Sequence, residues 1–244
     1  MPGLECFLST EGLPQSKEEI QAVLRSPQIS QIKCFALGPC GTNIEQASRK
    51  WLKETGIDSK STVELGETPE QCVEMARLVK DEGEISIFWT CAVYYNLFKL
   101  FFENPDTLPF FITFEMLLDE MQLATRKELI SQVVDARIPE GWKIASHPSP
   151  APLVRYVNGR SLLQTTSNAQ AALLCATGQV EACVTTQKAK EIHGLETIHI
   201  FGSPPMVFFG GITNWGAKLI KQVYLRPIKD AEYESSQEAE LWQG

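Results

Sequence analysis

The strongest constraint on this chain's fold is a repeated strand–turn–helix pattern in which three short turns of small residues interrupt apolar runs. They are Leu37-Gly38-Pro39-Cys40-Gly41-Thr42-Asn43, Ser146-His147-Pro148-Ser149-Pro150 and Thr165-Thr166-Ser167-Asn168. Each follows a strand-like run and opens a helix-like one. At such a junction the first backbone N–H groups of the helix lack an intrahelical acceptor, and the helix dipole favours an anion there. Three of them together predict a cleft for a small carboxylate or phosphate compound.

The pattern runs through most of the 244 residues. A polar preamble of about 30 residues contains a short helix capped by Ser16 and running through Glu18, Ile20, Val23 and Leu24. A first α/β series follows: strand 32–37, helix 44–53, strand 62–65, helix 69–80 and strand 85–89, an alternation that signals a parallel sheet. Thr68-Pro69-Glu70 combines a capping hydroxyl, a first-turn proline and a carboxylate that suits the dipole. Residues 92–102 are apolar and aromatic, and read as a buried helix or a cavity wall. Extended segments at 110–114 and 121–125 and a helix at 128–133 lead to a second series. That series is strand 143–145, helix 149–157, strand 161–164, helix 169–177, strand 181–184 and helix 187–192. Runs at 197–201 and 206–209 close the globular part, and an acidic segment from 230 to 240 loses the patterning.

Charge narrows the function classes. With 22 basic against 30 acidic residues the net charge is −8, and without a dense Lys/Arg stripe the chain is not built for nucleic acid. No apolar stretch is long enough to span a bilayer, and no basic-then-apolar leader pattern is present, so a soluble cytoplasmic protein without a membrane partner is expected. Seven cysteines, an odd number without framework spacing or a CxxC pair, read as reduced thiols.

Several residues could carry chemistry. Gly38 and Gly41 bracket the first turn, either to bring N–H groups close to a ligand, with Thr42 and Asn43 as further donors, or simply as turn punctuation. The turn is neither a P-loop nor a dinucleotide fingerprint. His147, between Ser146 and Ser149, is either a proton shuttle or a loop histidine satisfied by its neighbours. His193 and His199 lack acidic or thiol partners at ligand spacing and are expected at the surface, so no metal is expected. Cys40 and Cys91 stand at strand ends, where α/β folds place ligands, but no base activates them and small apolar packing suits them better. Arg126 and Arg155 are the arginines best suited to a substrate carboxylate.

Leu37-Gly-Pro-Cys-Gly-Thr resembles the LGPxGT opening of prephenate dehydratases. The chain is more similar to a shortened branch of that family without an ACT domain, the non-aromatising prephenate decarboxylases of bacilysin and aeruginosin biosynthesis. The resemblance covers about 32–210 and is strongest over 143–210. It rests on Ser146-His147-Pro148-Ser149-Pro150 with Leu153 and Tyr156, on Ser167 to Ala172, on Thr185, and on Ser203-Pro204-Pro205-Met206.

This resemblance implies a two-lobed α/β fold of the type II periplasmic-binding-protein kind, with the ligand cleft between the lobes. The expected organisation is an extension (1–30), lobe 1 (31–118 and 196–228), lobe 2 (119–195) and an acidic tail (229–244). It implies prephenate, a dicarboxylate, as substrate in a secondary-metabolite pathway, and decarboxylation with protonation of a ring alkene carbon and no cofactor. The dehydratases' Thr-Arg-Phe triplet is absent, since Ser203 to Phe208 stands in its place, which disfavours dehydration. His147 is then the expected proton handler. Gly41, Thr42, Asn43, Thr90, Arg126, Ser146, Ser149, Thr166, Ser167 and Asn168 are the expected substrate contacts. The segment Phe88-Trp89-Thr90-Cys91-Ala92-Val93-Tyr94 departs from the family's polar loop, which keeps a non-catalytic carboxylate-binding protein as the alternative and a dehydratase as a weaker one. A homodimer is left open.

Overall fold

The computed structural model describes residues 7–155 and 161–226; Tyr156 and the acidic tail lie outside them. Two five-stranded sheets divide the chain. In the first, β1 (Gln31–Leu37), β2 (Ser61–Gly66) and β3 (Glu84–Cys91) run parallel, with β1 between the other two. Then β4 (Thr107–Leu117) leads out through residues 118–120 to β5 (Met121–Thr125) of the second sheet. There β6 (Lys143–Ser146), β7 (Ser161–Gln164) and β8 (Ala182–Thr186) are parallel, and β5 runs antiparallel between β8 and β9 (Glu196–Gly202). The chain returns through 203–204 to β10 (Pro205–Thr213), which lies antiparallel between β3 and β4.

Both sheets are therefore mixed, not parallel throughout: the double crossing brings in β5 and β10 from the opposite direction. The boundary expected at 196 also moves. Glu196–Gly202 is hydrogen-bonded to β5, so the return to the first sheet starts at Pro205. The two crossing segments are tied together where Leu118 N–H donates to Pro204 O at 2.9 Å.

Strand alternation distributes the core over both faces of each sheet. Ile32, Cys34 and Ala36 of β1 and Ile85, Ile87 and Trp89 of β3 pack on α2 (Asn43–Thr55), through Ala47, Trp51 and Leu52, and on a final helix over 214–226 that the sequence reading did not anticipate. The Trp51 and Trp89 rings lie 5.3 Å apart. Phe35 and Phe88 face the other way, onto Cys72, Val73 and Ala76 of α3 (Pro69–Leu78). Gly211 is required here, because a Cβ would enter the Phe88 ring. In the second sheet Ala124, Ala145 and Cys183 pack on α5 (Asn168–Ala176), while Leu123, Ile144 and Val184 face Trp142 and Val154.

The expected helix starts hold where a capping side chain is present. Ser16 forms a capping box with Glu19 on α1 (Lys17–Arg25), and Thr68 accepts from Gln71 N–H at 3.1 Å on α3. The helices expected at 128–133 and from 149 are instead 3-10 turns over Lys127–Gln132 and Ala151–Val154. Neither has a side-chain cap, which leaves their first N–H groups to tighter local bonding. Only α4 (Leu97–Phe102) of the aromatic 92–102 segment is α-helical, and of α4 only Leu100 is buried. Tyr95, Phe98 and Phe102 are exposed, so this stretch is not a buried helix. No helix among the described residues is long and apolar enough to cross a membrane.

Candidate functional site

A cavity of about 260 Å³ lies between the two sheets, at the C-terminal ends of β1, β3, β6 and β8, where α/β folds place ligands. The first sheet's side supplies Leu37, Cys91, Val93, Tyr94, Met206, Phe208 and the start of α2; the second supplies Met121, His147, Ser149, Leu153, Thr186 and the start of α5. Leu118 and Pro204 of the crossing segments close one side. All three small-residue turns thus converge on one space, but they do so in different states.

In the first turn Thr42 caps α2, with its hydroxyl donating to Leu37 O at 2.6 Å and accepting from Glu45 N–H. Gly41, at φ +91°, adopts a conformation that favours glycine. Its N–H donates to Glu45 Oε2 at 2.6 Å. Glu45 is only 4% exposed. Burial alone would raise its pKa, but the Gly41 N–H and the Arg49 guanidinium, 2.8 Å away, hold the carboxyl below its ordinary value. The turn already holds an anion of the protein's own. Asn43 Oδ1 accepts from Asp119 N–H of the crossing segment at 3.0 Å. Lys188 of α6 (Gln187–Ile192) approaches from outside, its Nζ 3.9 Å from where a Gly41 Cβ would stand. Cys40 is exposed rather than packed, with its thiol 3.8 Å from Glu45.

The second turn presents an imidazole. Ser149 N–H donates to His147 Nδ1 at 3.2 Å, which leaves the proton of the neutral ring on Nε2. Burial pushes the His147 pKa below its ordinary value, so the ring is neutral near pH 7. Ser149 Oγ donates to Val93 O, across the cleft, at 2.6 Å. Ser146, expected as a substrate contact, does not line the cavity: it is fully buried and its hydroxyl donates to His147 O.

The third turn keeps an unused acceptor. Ser167 caps α5 by accepting from Gln170 N–H, and Gln170 Oε1 takes both the N–H and the hydroxyl of Thr166. Asn168 lines the cavity, and its Oδ1 is buried without a hydrogen-bond partner. A buried amide oxygen left unpaired costs about 1–3 kcal/mol, which a ligand donor would remove.

The structure does not bring Arg126, Arg155 or Thr90 to the cavity wall. Because β5 is antiparallel to β8, its C-terminal end lies at the start of β8, away from the cleft. Arg126 there donates to Cys175 O and Val180 O at 2.6 and 2.7 Å and pairs with Glu128. Arg155 is exposed at the end of a 3-10 turn. Thr90 is 1% exposed, within β3, where alternation turns Trp89 and Cys91 to the opposite face. His199 is exposed and His193 half-buried.

Two titratable side chains of the wall were not named as site residues from the sequence. Cys91 was read as packing and lines the space, and Tyr94 belongs to the stretch read as a buried helix or a cavity wall, of which Val93 and Tyr94 do form wall. Burial pushes the Cys91 thiol up to about 11. The Tyr94 phenol is also pushed up, by burial and then by its hydrogen bond to Glu70 at 2.6 Å. No Asp, Glu, Lys or Arg is among the described residues of the wall. Every titratable side chain in it is held neutral, so the cavity offers a mostly apolar space rimmed with neutral donors and acceptors. Among the described residues no cluster of three His, Cys, Asp or Glu could hold a metal ion.

No family model matches the chain. It is 29% identical over 196 residues to a prephenate decarboxylase of Bacillus subtilis (strain 168), across 77% of this chain and 90% of that protein. A prephenate decarboxylase of Bacillus amyloliquefaciens is 28% identical over the same length and coverage. The chain is a relative of the prephenate decarboxylases. Among solved structures, a prephenate dehydratase of Arthrobacter aurescens in complex with L-Phe superposes with a TM-score of 0.53 at 13% identity, over 74% of this chain and 60% of that one. The VFT2 domain of Bordetella pertussis BvgS superposes with a TM-score of 0.50 at 16% identity, over 88% and 94%. These two likenesses concern the fold, and the fold is the mixed α/β, two-sheet, periplasmic-binding-protein-like one that the resemblance implied.

Proposed function

We infer that this chain is a carboxy-lyase that decarboxylates prephenate without aromatising the ring. The observation that carries the reading is the neutral cavity between the two sheets, in a chain related to prephenate decarboxylases. A carboxylate moved from water into such a space loses hydration, whereas the transition state for carbon dioxide loss spreads that charge over the ring, so the ground state is disfavoured more. The electron pair left by the departing carbon dioxide passes into the diene, and a proton adds at an alkene carbon, so each turnover takes up one proton. His147 handles that proton: solvent supplies it to the imidazole, and the imidazolium so formed passes one proton from Nε2 to the alkene carbon and returns to the neutral ring, whose Nδ1 accepts from Ser149 N–H. Asn168, through its unpartnered Oδ1, and the Ser167 hydroxyl hold the substrate's polar groups, in a cleft between a lobe built on each sheet. The retained ring hydroxyl distinguishes this chemistry from dehydration.

The test is to incubate the purified protein with prephenate and follow products by mass. Carbon dioxide with a dihydro-4-hydroxyphenylpyruvate is the expected outcome. Phenylpyruvate would make it a dehydratase, and bound but unchanged prephenate a binding protein. Neither turnover nor binding would end the prephenate assignment.

A further inference from the structure

We propose that Ser149 is a positioning residue that makes closure of the cleft and orientation of the His147 imidazole one event. The proposal rests on the reading of His147 as the proton handler. Ser149 follows β6 of the second sheet, and Val93 follows β3 of the first. The Ser149 hydroxyl donates to Val93 O at 2.6 Å while its backbone N–H donates to His147 Nδ1 at 3.2 Å. Two residues beyond Val93, the Tyr95 ring lies 6.5 Å from the imidazole, so the same two loops meet again on the ring itself. Neither loop belongs to the crossing segments 118–120 and 203–204, which join the sheets covalently.

The physical argument is geometric. The Val93 carbonyl can accept from Ser149 only when the sheets are as close as they are here. A serine held by its hydroxyl also holds its own N–H in place, and that N–H selects the Nε2-protonated ring. In an open cleft the hydroxyl turns to water, the 146–150 turn loses its anchor on the opposite lobe, and the ring loses the contact with Tyr95. Pro148 and Pro150 flank Ser149 and restrict the turn, so displacement of the hydroxyl is transmitted to the imidazole rather than absorbed locally. Ser149 was expected from the sequence to touch substrate; here its hydroxyl is already committed to the other lobe.

The two bonds can be separated, because Ser149→Ala removes the hydroxyl and keeps the N–H, whereas Ser149→Thr keeps both. Loss of one neutral hydrogen bond from the closed form should raise KM for prephenate about fivefold. Without the anchored hydroxyl the N–H that orients the imidazole is no longer fixed, so kcat should fall as well, and S149T should restore both KM and kcat. Small-angle scattering of the ligand-free protein should show S149A more open than wild type or S149T, with unchanged melting temperatures. Equal KM and equal scattering for S149A and wild type would overturn the proposal, as would an S149T as impaired as S149A. A fall in kcat without a scattering change would make Ser149 a substrate contact, which also overturns it. An inert wild type would instead end the function reading beneath it.

Discussion

The turns at 38–45 and 165–170 carry the same sequence signal, a capping hydroxyl after a strand and before a helix, yet the protein uses them differently. In the first, Glu45 at the third helical position folds back onto the Gly41 N–H and is held there by Arg49. In the second the third helical residue is Gln170, a neutral amide that bonds Thr166 and leaves the neighbouring Asn168 Oδ1 unpartnered in the cavity. One turn carries its own carboxylate; the other still has an acceptor to fill. The first helix N-terminus is therefore already occupied by the chain's own anion, whereas the second offers a ligand's donor an acceptor.

Predictions that break or sharpen this contrast start with the turn between them. His147→Ala should lower kcat/KM for prephenate by about 100-fold or more; a near-wild-type rate would reduce His147 to a loop residue. Because proton delivery needs the imidazolium and burial lowers that pKa, activity should rise as the pH falls from neutrality towards a value below the ordinary histidine one. The same shift has a sign for stability. The unfolded chain binds the proton first on acidification, so His147 costs stability as pH drops below about 6.5. H147Q should melt with less dependence on pH in that range.

The next effect separates the two turns directly. Asn168→Ala should weaken prephenate binding about tenfold by removing a ligand-facing group, with a raised melting temperature for the ligand-free protein because the unpaired Oδ1 is gone. Glu45→Ala should do the reverse: it removes charge-assisted bonds from a buried carboxylate and should destabilise the fold by about 1–3 kcal/mol in denaturant titrations. Its KM should move less than that of N168A, and a larger KM effect for E45A would mean that the first turn binds substrate after all. The smallest effect on activity is expected for Arg126→Ala. Its guanidinium serves the carbonyls of Cys175 and Val180, so the melting temperature should drop while kcat/KM stays within about twofold. A large loss of activity would bring Arg126 back as a substrate partner.

Much of the fold was legible because local signals agreed. Ser16 and Thr68 cap the helices that their hydroxyls announced, Thr42 and Ser167, read as ligand contacts, prove to be caps as well, and β1 and β3 are buried on both faces. What misled was the apolar 92–102 stretch. Its composition fits a buried helix, but the segment turns at Tyr94 and leaves Phe98 and Phe102 exposed. The parallel reading held for β1, β2 and β3 but missed the antiparallel β5 and β10, because hydrophobic patterning carries no strand direction. Within the site, the three turns were visible as small-residue clusters. Cys91 was not, since a thiol at the end of an apolar run looks like packing until a cavity opens beside it, and Tyr94 was visible only as part of a stretch that could be buried helix or cavity wall.

The sequence by itself determined the strands, the caps and the three turns, because each is decided by residues within about four positions of one another. Only the tertiary structure decided which turn is already filled, which arginine faces away, and which hydroxyl spans the cleft. Those depend on strand direction and on contacts between residues as distant as Val93 and Ser149, which no local pattern encodes.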